Sequence, residues 1–183
     1  MKIGVLPVGQ VDEVTLQRIC EGLMKTFPDT ACVVVDANPP LREETFDKNR
    51  RQYQSHMILS EVQSYAAQNP SLNRVLGVVD ADIFVPELNF VFGEAACPGK
   101  AALISLWRLR PESYGDAPDR ELFLERAVKE AVHEVGHTLG LRHCSRPSCV
   151  MHFSNSIADT DIKQSVFCDR CNLHAKLSVS KLR

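Results

Sequence analysis

Residues 133–143 read HEVGHTLGLRH and contain three histidines, one glutamate and two glycines. Two histidines four residues apart on a helix lie on one face about 6 Å apart, so that both imidazoles can reach one metal ion. Gly140 suits the positive φ at which helices often end, and a turn there would bring His143 back toward the same ion. The stretch therefore predicts a helix whose end carries a three-histidine metal site.

The residue types of this stretch indicate zinc and a hydrolytic reaction. Three nitrogen ligands, His133, His137 and His143, leave a fourth zinc position for water, whose pKa zinc lowers to about 7. Glu134, between the first two histidines, is placed to take the proton from this zinc-bound water and to pass it to a leaving amine. We therefore expect a catalytic zinc with Glu134 as general base.

The helix that carries the histidines is predicted to begin at residues 118–119 and to end at Gly140. At 100° per residue its apolar residues fall on one side: Leu124, Ala127, Val128, Ala131 and Val135. The two spaced histidines fall on the opposite side, together with Arg126 and Glu130. We expect the helix to bury the first side on a sheet and to present the second to a cleft.

Four of the seven cysteines form two close pairs after the third histidine: Cys144 with Cys149, and Cys168 with Cys171. Four thiolates satisfy the tetrahedral preference of zinc, and a closed site of this kind is structural. We expect this second zinc to fasten the loop that carries His143 to the C-terminal helix. Two disulfides or four free thiols are the alternatives, which the lack of a signal peptide disfavours.

The rest of the chain predicts an α+β fold with a mixed sheet of about five strands. The predicted strands are residues 2–8, 31–36, 74–79, 89–93 and 101–107. Helices are expected between the first two strands and over residues 57–68 and 172–182, and a surface loop over residues 38–53. Pro-Gly within residues 95–100 favours a turn that makes the last two strands antiparallel.

The motif over residues 133–143 resembles the metzincin signature His-Glu-x-x-His-x-x-Gly-x-x-His at every specified position. Met151, eight residues after the third histidine, is similar to the methionine of the metzincin Met-turn. Cys144 directly after the third histidine, followed by Cys149 and the pair within residues 168–171, resembles the archaemetzincin branch of this clan. The strong resemblance covers residues 133–171.

This resemblance implies a metzincin-like zincin fold with a twisted mixed sheet. It implies a single metalloprotease domain over residues 1–183, with an N-terminal lobe (1–140) that ends with the active-site helix. A small C-terminal lobe (141–183) would contain the Met-turn and the four-cysteine zinc site. The resemblance further implies two zinc ions, one catalytic and one structural, and an activity as a zinc metallopeptidase.

The resemblance also predicts how a substrate lies. In metzincins a peptide lies extended along the edge strand of the sheet, which by resemblance is within residues 101–107. A peptide or protein is therefore the expected substrate. Several metzincins have a tyrosine two residues after the turn methionine, whereas Phe153 has no hydroxyl group. His152 is close enough in sequence to contact substrate.

Two other classes of function are compatible with parts of the sequence. A non-catalytic zinc protein could bind peptides or protein termini in the same cleft, although binding alone needs no base such as Glu134. A zinc-ribbon-like nucleic-acid module would rest on the cysteines alone and conflicts with a net charge of -2. Residues 1–8 form too short an apolar run for a secretory or membrane segment. We expect a cytoplasmic monomer that binds neither nucleic acid nor membrane.

The three remaining cysteines lie in apolar sequence surroundings. We expect Cys20, Cys32 and Cys97 to be buried and to pack as small hydrophobic residues. His56 and His174 are not spaced from other possible ligands as a metal-binding motif requires, and we predict no functional role for them.

Overall fold

A computed structural model describes residues 1–182 and has an α+β architecture. Its strands are β1 (Lys2–Val8), β2 (Ala31–Val34), β3 (Phe46–Asp47), β4 (Gln52–Gln54), β5 (Arg74–Val79), β6 (Ile83–Phe84), β7 (Gly93–Ala95) and β8 (Ala101–Ser105). Its helices are α1 (Glu13–Thr26), α2 (Ser55–Gln68), α3 (Arg120–Thr138), α4 (Ile157–Ile162) and α5 (Asp169–Ser180). Three short 3-10 helices cover Glu43–Thr45, Trp107–Leu109 and Pro111–Tyr114.

The larger sheet has five strands in the order β2-β1-β5-β8-β7. The first four strands are parallel, and β7 is antiparallel to β8, so the predicted mixed sheet is confirmed. Strands β5 and β8 are buried at every position because helices cover both faces. Helices α1 and α3 pack on one face, and α2 packs on the other.

Helix α3 begins and ends close to the predicted points. The Asp119 carboxylate accepts the Leu122 N–H at 3.0 Å as the N-cap, and Pro118 precedes this cap. Gly140 follows the last turn with φ 85°, a conformation that favours glycine. The chain can therefore reverse directly after the helix and bring His143 back.

The expectation that one side of α3 is open to a cleft is correct only for its C-terminal half. Arg126 and Glu130 are 4% and 2% exposed. Arg126 pairs with Asp161 of α4, and Glu130 pairs with Lys163 directly after it. Helix α4, which the sequence patterns did not predict, therefore covers this side around Arg126, and Glu130 lies where the cleft begins.

The prediction that the edge strand of the sheet lies within residues 101–107 is wrong. Strand β8, within residues 101–107, lies inside the sheet between β5 and β7. The edge on this side is β7, and the predicted strand over residues 89–93 is shifted to Gly93–Ala95. The strand predicted over residues 31–36 is β2, which ends earlier, at Val34. It forms the other edge of the sheet.

Residues 38–53 are more structured than a surface loop. They contain β3 and β4, which form a second, three-stranded sheet with β6. Helix α2 begins two residues earlier than predicted and α5 three residues earlier. Among residues 1–182, no helix is long and apolar enough to cross a membrane.

Two of the three remaining cysteines differ from the expectation of burial. Cys97 is exposed, because it lies in the turn between β7 and β8, and Cys32 is only partly buried, because β2 is an edge strand. Cys20 on α1 is buried as expected, at 6% exposure.

Candidate active site and metal centres

The structure brings the three predicted histidines together. His133 and His137 lie one turn apart at the end of α3, and His143 returns to them after Gly140. One nitrogen from each imidazole lies within 4.8 Å of the others. His133 is buried, His137 is partly buried and His143 is exposed, so that the cluster lies at a surface that a substrate can reach.

Two of the rings are held by their Nδ1 atoms. His133 Nδ1 lies 2.8 Å from the Val150 carbonyl oxygen, and His137 Nδ1 lies 2.7 Å from that of Leu141. Because a carbonyl oxygen only accepts, both Nδ1 atoms carry the hydrogen and both Nε2 atoms present a lone pair. The two Nε2 atoms lie 3.0 Å apart, and at this distance their lone pairs repel each other unless a cation binds to both. Nitrogens bonded at about 2.0–2.1 Å to one tetrahedral ion have a similar separation, so this donor set fits zinc.

Burial favours the uncharged form of the three imidazoles. It lowers the pKa of His133 well below its ordinary value and also lowers the pKa values of His137 and His143. The charge of Lys163 acts in the same direction on all three. Neutral imidazole is the form that binds a metal ion.

Glu134 lies beside the histidines and against the edge strand. A Cβ atom on Gly93 of β7 would lie only 2.6 Å from Glu134 Cγ and 2.7 Å from its Oε1. Burial raises the pKa of Glu134 well above its ordinary value, and the nearby Glu130 carboxylate adds to this effect. Because Glu134 lies this close to Gly93, an extended chain along β7 would pass beside its carboxylate.

Met151, which resembles the methionine of a Met-turn, packs against α3 at Gly136, between the two helical histidines. Its side chain is fully buried, and a Cβ atom on Gly136 would lie 2.5 Å from its sulfur. The Cys144 N–H donates to the Met151 carbonyl oxygen at 2.9 Å. The ring of Phe153 lies 5.0 Å from that of His143, at the mouth of the site.

The four clustered cysteines form a second group. The sulfur atoms of Cys144, Cys149, Cys168 and Cys171 lie within 4.8 Å of one another. Cys168 is the N-cap of α5, and the Cys171 N–H is the main cause that lowers the pKa of the Cys168 thiol to about 7. Such a donor set fits a closed, tetrahedral zinc site.

A cavity of about 590 Å³ opens over the histidines and Glu134. Residues 88–95, which include β7, line one part, and α3 and residues 153–155 line others. Arg142 and Glu94 also line it, and the sequence patterns did not single out either residue. His152 is not among the lining residues, and its Nδ1 lies 2.9 Å from the Cys144 carbonyl oxygen.

Sequence patterns also missed a buried ion pair beside the site. Lys163 Nζ lies 2.8 Å from Glu130 Oε1, and both side chains are almost fully buried. Thr160 donates to the same carboxylate at 3.1 Å. The spacing of Glu130 and Glu134, four residues apart on one helix, could have indicated a second carboxylate in the cleft. No pattern connected Lys163 with either of them.

Helix α3 carries two histidines and a glutamate, and a third histidine returns to them after its end. This arrangement beside a mixed sheet is typical of the class of zinc metallopeptidases. Residues 12–177 match the family model described as peptidase family M54. The chain therefore belongs to this family, the archaemetzincins.

Relatives of known sequence and structure agree with this assignment. An archaemetzincin of Pyrococcus abyssi is 43% identical over 170 residues, which cover 91% of this chain and 90% of the relative. The crystal structure of archaemetzincin from Methanopyrus kandleri is similar with a TM-score of 0.83 and 34% identity, and the match covers 98% of this chain and 96% of that one. A zinc-dependent peptidase from Methanocorpusculum labreanum has a TM-score of 0.85 and 26% identity, over 94% and 99% of the two chains.

Proposed function

We propose that this zinc peptidase cleaves peptide bonds at the three-histidine cluster, with Glu134 as general base, and that the chain holds two zinc ions. His133, His137 and His143 would hold the catalytic ion, and the four clustered cysteines would hold a structural one. The observation that carries the proposal is the pair of facing Nε2 atoms, 3.0 Å apart, beside a buried carboxylate.

Each residue has a separate task in the reaction. Zinc, when bound, lowers the pKa of a coordinated water to about 7. The Glu134 carboxylate accepts a proton from the attacking water and then donates it to the leaving nitrogen. Val150 and Leu141 keep the histidine rings oriented through their carbonyl oxygens, so that each Nε2 atom faces the cleft.

The substrate would lie along β7. The Ser105 N–H bonds to the Phe92 carbonyl oxygen, and the Ala96 N–H bonds to that of Ala101. Because pairing alternates along an antiparallel strand, the backbone groups of Gly93 and Ala95 point away from β8. A peptide can pair with these groups as an added strand, and its scissile bond would then pass Glu134.

The first test uses a diverse peptide pool and mass spectrometry of the products. Zinc-loaded protein should cut peptides, and the isosteric Glu134→Gln variant with equal zinc content should be slower by about 10²–10⁴-fold. Cutting by the variant at the unaltered rate would remove Glu134 from the mechanism. The absence of cutting by either protein would contradict peptidase activity on unstructured peptides.

A second variant tests the substrate path. Ala95→Pro removes an outward N–H from an edge strand and should raise KM about tenfold with little change in thermal stability. Ala96→Pro, its matched control, removes an inward N–H and should lower the Tm. Unchanged KM in the Ala95→Pro protein would place the substrate elsewhere in the cleft.

A further inference from the structure

Two cysteines outside the zinc clusters are in close contact. Cys20 lies on α1 and Cys32 on the edge strand β2. Their sulfur atoms are 2.9 Å apart, and the Cys32 thiol donates to Cys20 Sγ. This separation is short for two unbonded sulfur atoms and longer than the about 2.05 Å of a disulfide. The two side chains therefore point at each other and need only a small movement to form a bond.

The two cysteines differ in exposure and in thiol pKa. Cys20 is buried in the core between α1 and the sheet, whereas Cys32 is partly exposed at the edge of the sheet. The hydrogen bond from Cys32 lowers the pKa of the Cys20 thiol and raises the pKa of the Cys32 thiol. One sulfur can therefore act as the nucleophile while its neighbour retains a proton.

We propose that Cys20 and Cys32 are a redox-active pair that closes to a disulfide on reaction with a hydroperoxide. In the first step the Cys20 thiolate attacks a peroxide oxygen, and the O–O bond breaks. With hydrogen peroxide this yields a sulfenic acid on Cys20 and hydroxide, which takes up the proton that the Cys20 thiol had released. In the second step Cys32 sulfur attacks the sulfenic sulfur, the S–S bond forms, and the hydroxyl group leaves with the Cys32 proton as water. Overall, two thiols are oxidised and one peroxide is reduced to two waters.

The disulfide would link α1 to β2, a strand that has a hydrogen-bonded neighbour on one side only within the described sheet. Strand β2 pairs only with β1 within the described part of the sheet. A link between residues 20 and 32 closes a short loop and restricts the unfolded chain, which raises stability. Neither cysteine lines the cavity, so peptidase activity should be retained.

The test uses the full, zinc-loaded chain, so that the other thiolates stay protected, with stoichiometric hydrogen peroxide. Peptide mapping without reductant should show the peptides of Cys20 and Cys32 joined, with the loss of two hydrogen atoms. The Tm should rise by roughly 5–10 °C and return after treatment with a thiol reductant.

Two variants separate this pair from other thiols. Cys32→Ala should abolish both the cross-link and the rise in Tm, whereas Cys97→Ser, which replaces an exposed thiol, should retain both. A cross-link elsewhere, or stable sulfinic acid on Cys20 without a disulfide, would overturn the proposal. Unreacted Cys20 and Cys32 in a protein whose Cys97 is oxidised would overturn it as well.

Discussion

At the scale of single residues, Gly136 limits what the site tolerates. It lies between the two helical histidines and directly over Met151, whose sulfur would be 2.5 Å from an added Cβ atom. Met151 is fully buried and cannot move into solvent. The glycine is therefore required by close packing, not by helix geometry.

Gly136→Ala should make the protein less stable despite the better helix propensity of alanine. Propensity favours alanine by about 1 kcal/mol, whereas overpacking of a buried site costs roughly 1–3 kcal/mol. We expect a net loss of about 1 kcal/mol in urea unfolding, together with weaker zinc binding in a chelator competition. Met151→Leu, which conserves volume, is the control and should bind zinc nearly normally. A variant as stable as the parent would show that Met151 has room to move.

At the scale of elements, ion pairs connect helix α3 to helix α4 and to the residue that follows it. Arg126 makes two hydrogen bonds of 2.7 Å to the Asp161 carboxylate. One turn further along, Glu130 pairs with Lys163 at 2.8 Å. The short helix α4 is therefore held over α3 mainly by charged groups, and few apolar side chains support it.

Lys163→Met should destabilise the protein by about 3–5 kcal/mol, because it leaves the buried Glu130 carboxylate without a counter-charge. Adding Glu130→Gln should recover part of this loss, since no unpaired charge then remains. Chemical denaturation of the single and double variants measures the coupling. Arg120→Met, which removes an exposed ion pair with Asp12, is the control and should cost below about 1 kcal/mol. Equal losses for the Lys163 and Arg120 variants would contradict the role of the buried pair.

Long elements and local motifs were predictable from the sequence, whereas short pairings were not. Helix α3 shows an apolar period over several turns, and residues 133–143 specify a metal site through local spacing. Strands β3 and β6 have two residues each, which is too short for a period, and their pairing depends on distant contacts. The edge of the sheet was misassigned for a related reason: the predicted turn gives residues 101–107 one neighbouring strand, whereas their second neighbour, β5, pairs through contacts between distant segments.

At the scale of the whole molecule, the two proposed metal centres differ in how firmly they hold zinc. The histidine centre has three neutral ligands and an open position, whereas the cysteine centre is closed by four thiolates. As proposed, the first centre would serve the reaction, and the second would join the loop after α3 to helix α5.

Mild chelation should remove one zinc ion from each chain that holds two, with loss of peptidase activity and little change in Tm. Elemental analysis and thermal unfolding of the same samples measure both quantities. Cys168→Ser should lower the Tm and weaken zinc binding at the histidines, because the loop that carries His143 loses its support. Simultaneous loss of both ions at the lowest chelator concentration would contradict the difference between the centres.

His143 and Cys144 are neighbours in the chain, and a hydrogen bond from Cys144 to Met151 joins the loop on which both centres depend. If both centres bind zinc as proposed, an ion at either centre would reduce the freedom of this loop. The two binding equilibria would then be linked, and each ion would raise the affinity for the other by the same factor. When zinc is scarce, a chain whose cysteine centre is already filled would therefore bind an ion at its histidines more tightly than an empty chain does.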